Sequence, residues 1–135
     1  MRDSDRRTTA FNARLQKVWW LFAFSWAALI FWLSSSPDAQ GGVKLLDLLP
    51  YGDKLAHGVA FGVLGGLVYL ASKRPWLALG LASLYGMSDE FHQRFVPGRS
   101  FDPLDWVADT LGAILAIILV RYLTQRPWRE ANPLQ

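Results

Sequence analysis

Four apolar segments restrict what this chain can fold into more than any other feature of its sequence. They cover residues 18–33, 55–71, 75–87 and 103–123. A helix needs about 20 residues, or about 17 at the least, to cross a membrane. The first, second and fourth segments reach that length with their flanks, and the third does so only with residues 88–91. We therefore predict an all-α protein, a polytopic membrane bundle of four transmembrane helices.

Two of the segments allow another interpretation. The third is short enough to be a buried or re-entrant helix. The first resembles a signal peptide, because basic residues precede it and a run of three serines follows. However, Pro37 comes directly after the only small-residue cleavage site, and the apolar run is long and rich in Trp. These features favour an uncleaved membrane anchor.

Composition agrees with a single small membrane domain. The chain has 135 residues, of which 52% are hydrophobic, and it contains no cysteine. Disulfides, thiolate catalysis, cysteine-bound zinc and palmitoylation are therefore excluded. We expect a flexible basic N-terminal arm over residues 1–14, the four-helix domain over 15–126 and a short tail over 127–135.

The distribution of Lys and Arg predicts the orientation of the helices. Four crossings would place ten of the 14 basic residues on one side of the membrane, which is then cytoplasmic. Both termini are expected there, and the loops over 34–54 and 92–102 are expected outside. The ten are Arg2, Arg6, Arg7, Arg14, Lys17, Lys73, Arg74, Arg121, Arg126 and Arg129.

Local sequence chemistry marks helix ends and packing faces. In "FDPLD", Asp102 is a predicted N-cap, Pro103 the first helical residue and Asp105 the third. "VPGRS" at 96–100 has the composition of a turn. Small residues recur every four positions and predict faces on which helices approach closely in lipid. They are Gly58, Gly62 and Gly66; Ala78, Ala82 and Gly86; and Ala108, Gly112 and Ala116.

Polar residues extend these faces at the predicted outer ends of three helices. Residues three or four positions apart lie on one side of a helix. Asp109 is the deepest, about 9 Å beyond Pro103 at 1.5 Å per residue, which is past the range of helix capping and favours a polar network or a functional role. The residues expected to face a shared interior are Asp53, His57, Asp89, Glu90, Gln93, Asp105 and Asp109.

Simpler roles stay open for several of these residues. Capping of the last helix accounts for Asp102 and Asp105. An ordinary hydrogen bond between helices would account for His57, and Asp53 with Lys54 could mark the membrane boundary. Arg99 is either a loop cation or the partner of the acids.

The motifs as a whole resemble the VanZ-like family of small bacterial membrane proteins. The resemblance rests on "DKLAHGVAFGVLG" at 53–65 and on "YGMSDEFHQRFVPGRSFDPLDWVADTLGA" at 85–113. It implies a multi-pass protein of the bacterial cytoplasmic membrane, and a link to teicoplanin and other glycopeptides. Many relatives carry Asn where this chain has Asp109. The matching residues are Asp53, Lys54, His57, Asp89, Glu90, Gln93, Phe95, Pro97, Arg99, Asp105, Asp109 and Gly112.

The residue types predict roles without identifying a reaction. The candidate catalytic residues are Glu90, Asp89, Asp105 and His57, because paired acids beside an imidazole suit proton transfer. A divalent metal is compatible with these ligands but is not the favoured interpretation, because no contiguous metal motif is present. No cofactor is assigned. The candidate substrate-binding residues are Arg99, Gln93, Asp53, Lys54 and Asp109.

Two functions of different classes follow. The first is a site that binds or acts on a cell-envelope substrate, either a lipid-linked phosphate or glycan or a glycopeptide. The second is a non-catalytic structural bundle, or a subunit of a larger envelope assembly, whose polar residues only hold helices together. Membrane lipids are expected partners and nucleic acid is not, because the basic arm is short and suits anionic lipid equally well. Whether the protein is an enzyme, and its oligomeric state, are left open.

Overall fold

The computed structural model describes residues 3–36 and 49–131, with side chains over 11–36 and 49–125. These residues form four helices: α1 (Asp3–Ser35), α2 (Gly52–Ser72), α3 (Pro75–Gln93) and α4 (Pro103–Ala131). The two described ranges contain no strand, so the all-α prediction is confirmed. Most of the predicted outer loop, residues 37–48, lies outside the described residues.

Three of the four helices are long and apolar enough to cross a membrane. They are Phe11–Ser35, Gly52–Ser72 and Pro103–Gln125. The third helix, α3, has 19 residues, or about 28 Å at 1.5 Å per residue, and acids occupy its last turn. The chain is therefore a membrane protein, whereas a fourth crossing and the cytoplasmic location of both termini stay predictions.

The first and last helices extend into the predicted terminal segments. α1 begins at Asp3 and so runs through most of the predicted basic arm, and α4 continues to Ala131 within the predicted tail. The division of the chain at residues 14 and 126, and the flexibility of the arm, stay predictions. Residues 132–135 lie outside the described part of the tail.

Helix ends follow the local chemistry of the sequence. Asp102 caps α4 as predicted, since its Oδ1 accepts a hydrogen bond from the backbone N–H of Leu104 at 2.9 Å. The turn at 96–99 closes through the N–H of Arg99 and the carbonyl of Val96 at 3.1 Å. Gly98 has φ +80° there, as a type II turn requires at its third position.

α2 and α4 pack closely through the small residues predicted to form helix-packing faces. A Cβ atom added to Gly62 would lie 3.1 Å from the carbonyl oxygen of Gly112, and one added to Gly112 would overlap the carbonyl of Gly58. Gly66 similarly faces Ala116. The prediction for α2 and α4 is confirmed, because only small side chains permit this separation. The corresponding residues of α3 are also buried: Ala78, Ala82 and Gly86.

Contacts between the helices show that one end of each helix lies at the same end of the bundle. His57, near the start of α2, contacts Asp109, in the second turn of α4. Ser35, the last residue of α1, lies 3.0 Å from Nε2 of His92 in the last turn of α3. Glu90 of α3 accepts a hydrogen bond from the residue before α4. We call this the polar end of the bundle, because nearly all of the predicted site residues lie there.

Candidate functional site

Seven charged or titratable side chains meet at the polar end and are called the polar cluster below. α2 contributes three of them within its first two turns, α3 contributes one from its last turn, and α4 contributes two together with its cap. They are Asp53, Lys54, His57, Glu90, Asp102, Asp105 and Asp109. Three helices thus bring together residues separated by up to 56 positions in the sequence.

One half of the cluster surrounds the ammonium group of Lys54. Its Nζ lies 2.8 Å from Asp53 Oδ2, 2.5 Å from Asp102 Oδ2 and 2.7 Å from Asp105 Oδ1. Hydrogen bonding to Lys54 lowers the pKa of the Asp102 carboxyl below its usual value. A single cation therefore contacts three carboxylates, and two of these contacts join the start of α2 to the start of α4.

The other half is organised around His57. Its Nδ1 lies 3.0 Å from Asp109 Oδ1 and 3.8 Å from Glu90 Oε1, and its Nε2 lies 3.9 Å from Asp105 Oδ2. Only the contact with Asp109 is short enough for a hydrogen bond. The ring also stacks nearly parallel to Phe61, at an interplanar angle of 3°. The imidazole is therefore fixed in orientation while two further carboxylates face it at longer range.

Glu90 and Asp109 are the most deeply buried acids of the cluster, and both are 0% exposed. Glu90 Oε2 accepts a hydrogen bond from the backbone N–H of Asp102 at 3.0 Å. The second oxygen of each acid, Glu90 Oε1 and Asp109 Oδ2, has no hydrogen-bond partner. A buried polar group without a partner costs about 1–3 kcal/mol, and more if it is charged. The two unpartnered oxygens therefore destabilise the fold, and helix packing alone does not explain why they are buried there.

Three predicted site residues are not part of the polar cluster and have other partners. Asp89 and Gln93 are buried and pair with each other along α3, with the amide Nε2 donating to Asp89 Oδ2 at 3.0 Å. Arg99 donates from Nη2 to the carbonyl of Leu33 at 3.2 Å. Over the part of the chain whose side chains are described, no ion pair joins Arg99 to an acid, and Lys54 pairs with the acids instead.

Asp102 belongs to the cluster, although sequence reasoning assigned it to helix capping. It caps α4 through Oδ1, pairs with Lys54 through Oδ2 and holds Glu90 through its backbone N–H. The sequence offers one signal that Asp102 belongs to the cluster, which is that it lies at the same helix end as Asp105. Helix capping alone explains an Asp at this position, so the sequence does not predict its second role.

The arrangement is acid-rich, with five carboxylates for one lysine and one histidine. Such a site attracts cations and accepts hydrogen bonds from hydroxyl and amine groups. Two groups of side chains bring ligand atoms within 4.8 Å of one another: His57 with Glu90 and Asp105, and Asp53 with Asp102 and Asp105. Paired acids beside an imidazole are also suited to general acid–base chemistry. The catalytic and binding roles of individual residues stay predictions.

Comparison with known proteins gives one positive result. A protein-family model described as VanZ/LLP1 matches residues 4–124, which is most of the chain. No curated protein and no solved structure shows significant similarity to the chain.

Proposed function

The chain belongs to the VanZ/LLP1 family, and we propose that its polar cluster is a membrane site that binds or acts on a cell-envelope substrate. The Glu90 carboxylate carries this proposal. It is 0% exposed, one of its oxygens has no partner, and it faces an oriented imidazole in a bundle that lies in a membrane. An acid within a membrane bundle costs several kcal/mol unless it is paired or hydrated.

Two carboxylates at the polar end of the bundle are open to solvent. The side chains of Asp53 and Asp102 are 58% and 35% exposed, whereas Glu90 and Asp109 are 0% exposed. A substrate headgroup in water would therefore meet Asp53 and Asp102 first. On the orientation predicted from the Lys and Arg residues, this side faces the cell exterior, where envelope precursors and glycopeptides are found.

The charges indicate which substrate groups fit best. Carboxylates accept hydrogen bonds from sugar hydroxyls and from amines, and both groups occur in envelope glycans and in glycopeptides such as teicoplanin. A bare phosphate would be repelled by five carboxylates, and Arg99 forms no described ion pair with them. We therefore favour recognition of a glycan or an amine over direct recognition of phosphate.

Lys54 supports a second candidate function, a structural bundle. Two ion pairs, at 2.5 and 2.7 Å, join Lys54 of α2 to Asp102 and Asp105 at the start of α4, as expected of polar contacts that hold two helices together. That function accounts for the Lys54 half of the cluster. It does not account for the unpartnered oxygens of Glu90 and Asp109.

Native mass spectrometry of the protein released from its own membrane tests the proposal. We expect the wild type to retain an envelope lipid or glycan of defined mass, and Glu90→Gln to lose it while keeping the far-ultraviolet circular dichroism of the wild type. Gly80→Ala is the matched control, because this residue lies outside the polar cluster and nothing lies within 4 Å of a Cβ atom there. Equal retention by Glu90→Gln and the wild type would contradict the proposal.

A further inference from the structure

We propose that His57, Glu90 and Asp105 bind a divalent metal ion of the Mn²⁺ or Zn²⁺ class. The two oxygens of Asp105 face different neighbours. Its Oδ1 lies 2.7 Å from the ammonium group of Lys54, and its Oδ2 faces Nε2 of His57 at 3.9 Å. The first side of Asp105 is paired with a cation. The second side faces the imidazole of His57.

The contact between His57 and Asp109 prepares the imidazole for a metal. An ionised Asp109 only accepts hydrogen bonds, so with Asp109 ionised Nδ1 carries the proton and donates it to Oδ1 at 3.0 Å. In a neutral ring, Nε2 then presents a lone pair. Histidines that bind metals almost always donate their other ring N–H in this way, commonly to a carboxylate, which fixes the tautomer and raises ligand basicity. Asp109 is therefore a positioning residue for His57.

Glu90 supplies the observation that distinguishes this site from an ordinary group of acids. Its Oε2 is anchored by the backbone N–H of Asp102. Its Oε1 is buried without a hydrogen-bond partner and lies 3.8 Å from Nδ1 of His57. Burying a charged oxygen with neither donor nor cation is unfavourable. A metal ion held by Glu90 Oε1 together with Nε2 of His57 would remove this cost.

The distances fit a metal after small side-chain movements. One ligand atom from each of His57, Glu90 and Asp105 lies within 4.8 Å of the other two, so all three lie within about 2.8 Å of a common point. Zinc bonds to nitrogen and oxygen are about 2.0–2.2 Å long. Shifts of about 0.6–0.8 Å would therefore form the site. Imidazole with carboxylates suits Zn²⁺, Mn²⁺ or Fe²⁺, whereas Mg²⁺ and Ca²⁺ prefer oxygen ligands alone.

A metal would also change which substrates the cluster can hold. Three protein ligands leave coordination positions for water or substrate. A phosphate or pyrophosphate group, which the acids alone repel, could then bind through the ion. This use of the metal rests on the proposed function, but binding of the metal itself can be measured without any substrate or phenotype.

Manganese binding to the detergent-purified full chain tests the inference. After treatment with chelator and equilibrium dialysis against Mn²⁺, we expect about one ion per chain, with pulsed paramagnetic resonance detecting an imidazole nitrogen on the bound ion. The chain has two histidines, which provide a matched pair of variants. His57→Gln should weaken binding by about tenfold or more and remove the nitrogen signal, whereas His92→Gln should change neither.

Three results would overturn the inference: no stoichiometric Mn²⁺ or Zn²⁺ on the wild type, bound Mn²⁺ without a nitrogen signal, or a nitrogen signal that disappears only in His92→Gln. The first two need no variant, so they decide the matter even if His57→Gln does not fold. Metal binding without any retained envelope molecule would support this inference and count against the proposed function. A retained envelope molecule on a protein that binds no metal would support the proposed function and overturn this inference.

Discussion

His57 of α2 and Asp109 of α4 form a hydrogen bond of 3.0 Å across 52 positions of sequence, at the end of a bundle that lies in a membrane. The second oxygen of Asp109 has no partner and faces Gly86 of α3. This pair therefore lies where three helices meet. It connects the packing of the bundle to the chemistry of the polar cluster.

Topology can be tested with single cysteines, since the chain has none of its own. Ser100→Cys, in the exposed turn before α4, should react with a membrane-impermeant thiol reagent added to intact cells, with any outer membrane permeabilised. Thr8→Cys should react only after the cytoplasmic membrane is opened, because the basic residues predict a cytoplasmic N-terminus. Labelling of residue 8 from outside would contradict this orientation.

Packing of α2 against α4 depends on Gly62. A Cβ atom there would lie 3.1 Å from the carbonyl oxygen of Gly112, so Gly62→Leu must push the helices apart. We expect a loss of about 1–3 kcal/mol, measured by thermal unfolding in detergent. Gly80→Leu is the matched control, because nothing lies within 4 Å of a Cβ at that position. Equal stability of the two variants would mean that the contact between α2 and α4 is not close.

Gly86 should be required for the orientation of His57. A Cβ atom at this position would lie 2.8 Å from Asp109 Oδ2, so Gly86→Ala must displace the carboxylate that holds the ring. We expect the hydrogen-bonded Nδ1 proton of His57 to shift or disappear in nuclear magnetic resonance spectra of ¹⁵N-histidine protein. Gly80→Ala should leave that signal unchanged. A spectrum of Gly86→Ala identical to that of the wild type would rule out this packing.

Lys54 should stabilise the bundle through its three carboxylates. Lys54→Met removes the ammonium group and leaves the acids to repel one another, so we expect a loss of about 1–2 kcal/mol, between the values for exposed and buried pairs. Adding Asp105→Asn to Lys54→Met should restore part of that loss, because it removes one of the repelling charges. Thermal unfolding of both variants provides the measurement, and a double variant less stable than Lys54→Met would contradict this explanation.

Much of the fold could be predicted from the sequence because its causes are local. Apolar length predicts the helices, Asp102 and Pro103 mark the start of α4, and the four-residue spacing of Gly58 and Gly62 predicts a packing face. These signals depend on neighbours within one or two turns, so no knowledge of the tertiary structure is needed.

The partners within the site could not be predicted with the same success. The sequence left Arg99 as either a loop cation or the partner of the acids, whereas Lys54 pairs with the acids and Arg99 contacts Leu33. Which cation reaches a carboxylate depends on the rotation and separation of two helices, and spacing along one helix does not determine either. The same limit concealed the second role of Asp102.

Neutral replacement of the acids tests the central claim most directly, that the polar cluster exists for function. Glu90→Gln, Asp105→Asn and Asp109→Asn would be compared in a strain lacking the natural gene, with teicoplanin tolerance and membrane protein levels measured together. Each replacement keeps the shape of the side chain and removes its charge. We predict that the first two abolish the phenotype at near wild-type protein levels, and that Asp109→Asn is milder because Asn can still accept a hydrogen bond from His57. Full phenotype in all three variants, or loss of the first two proteins from the membrane, would contradict the account.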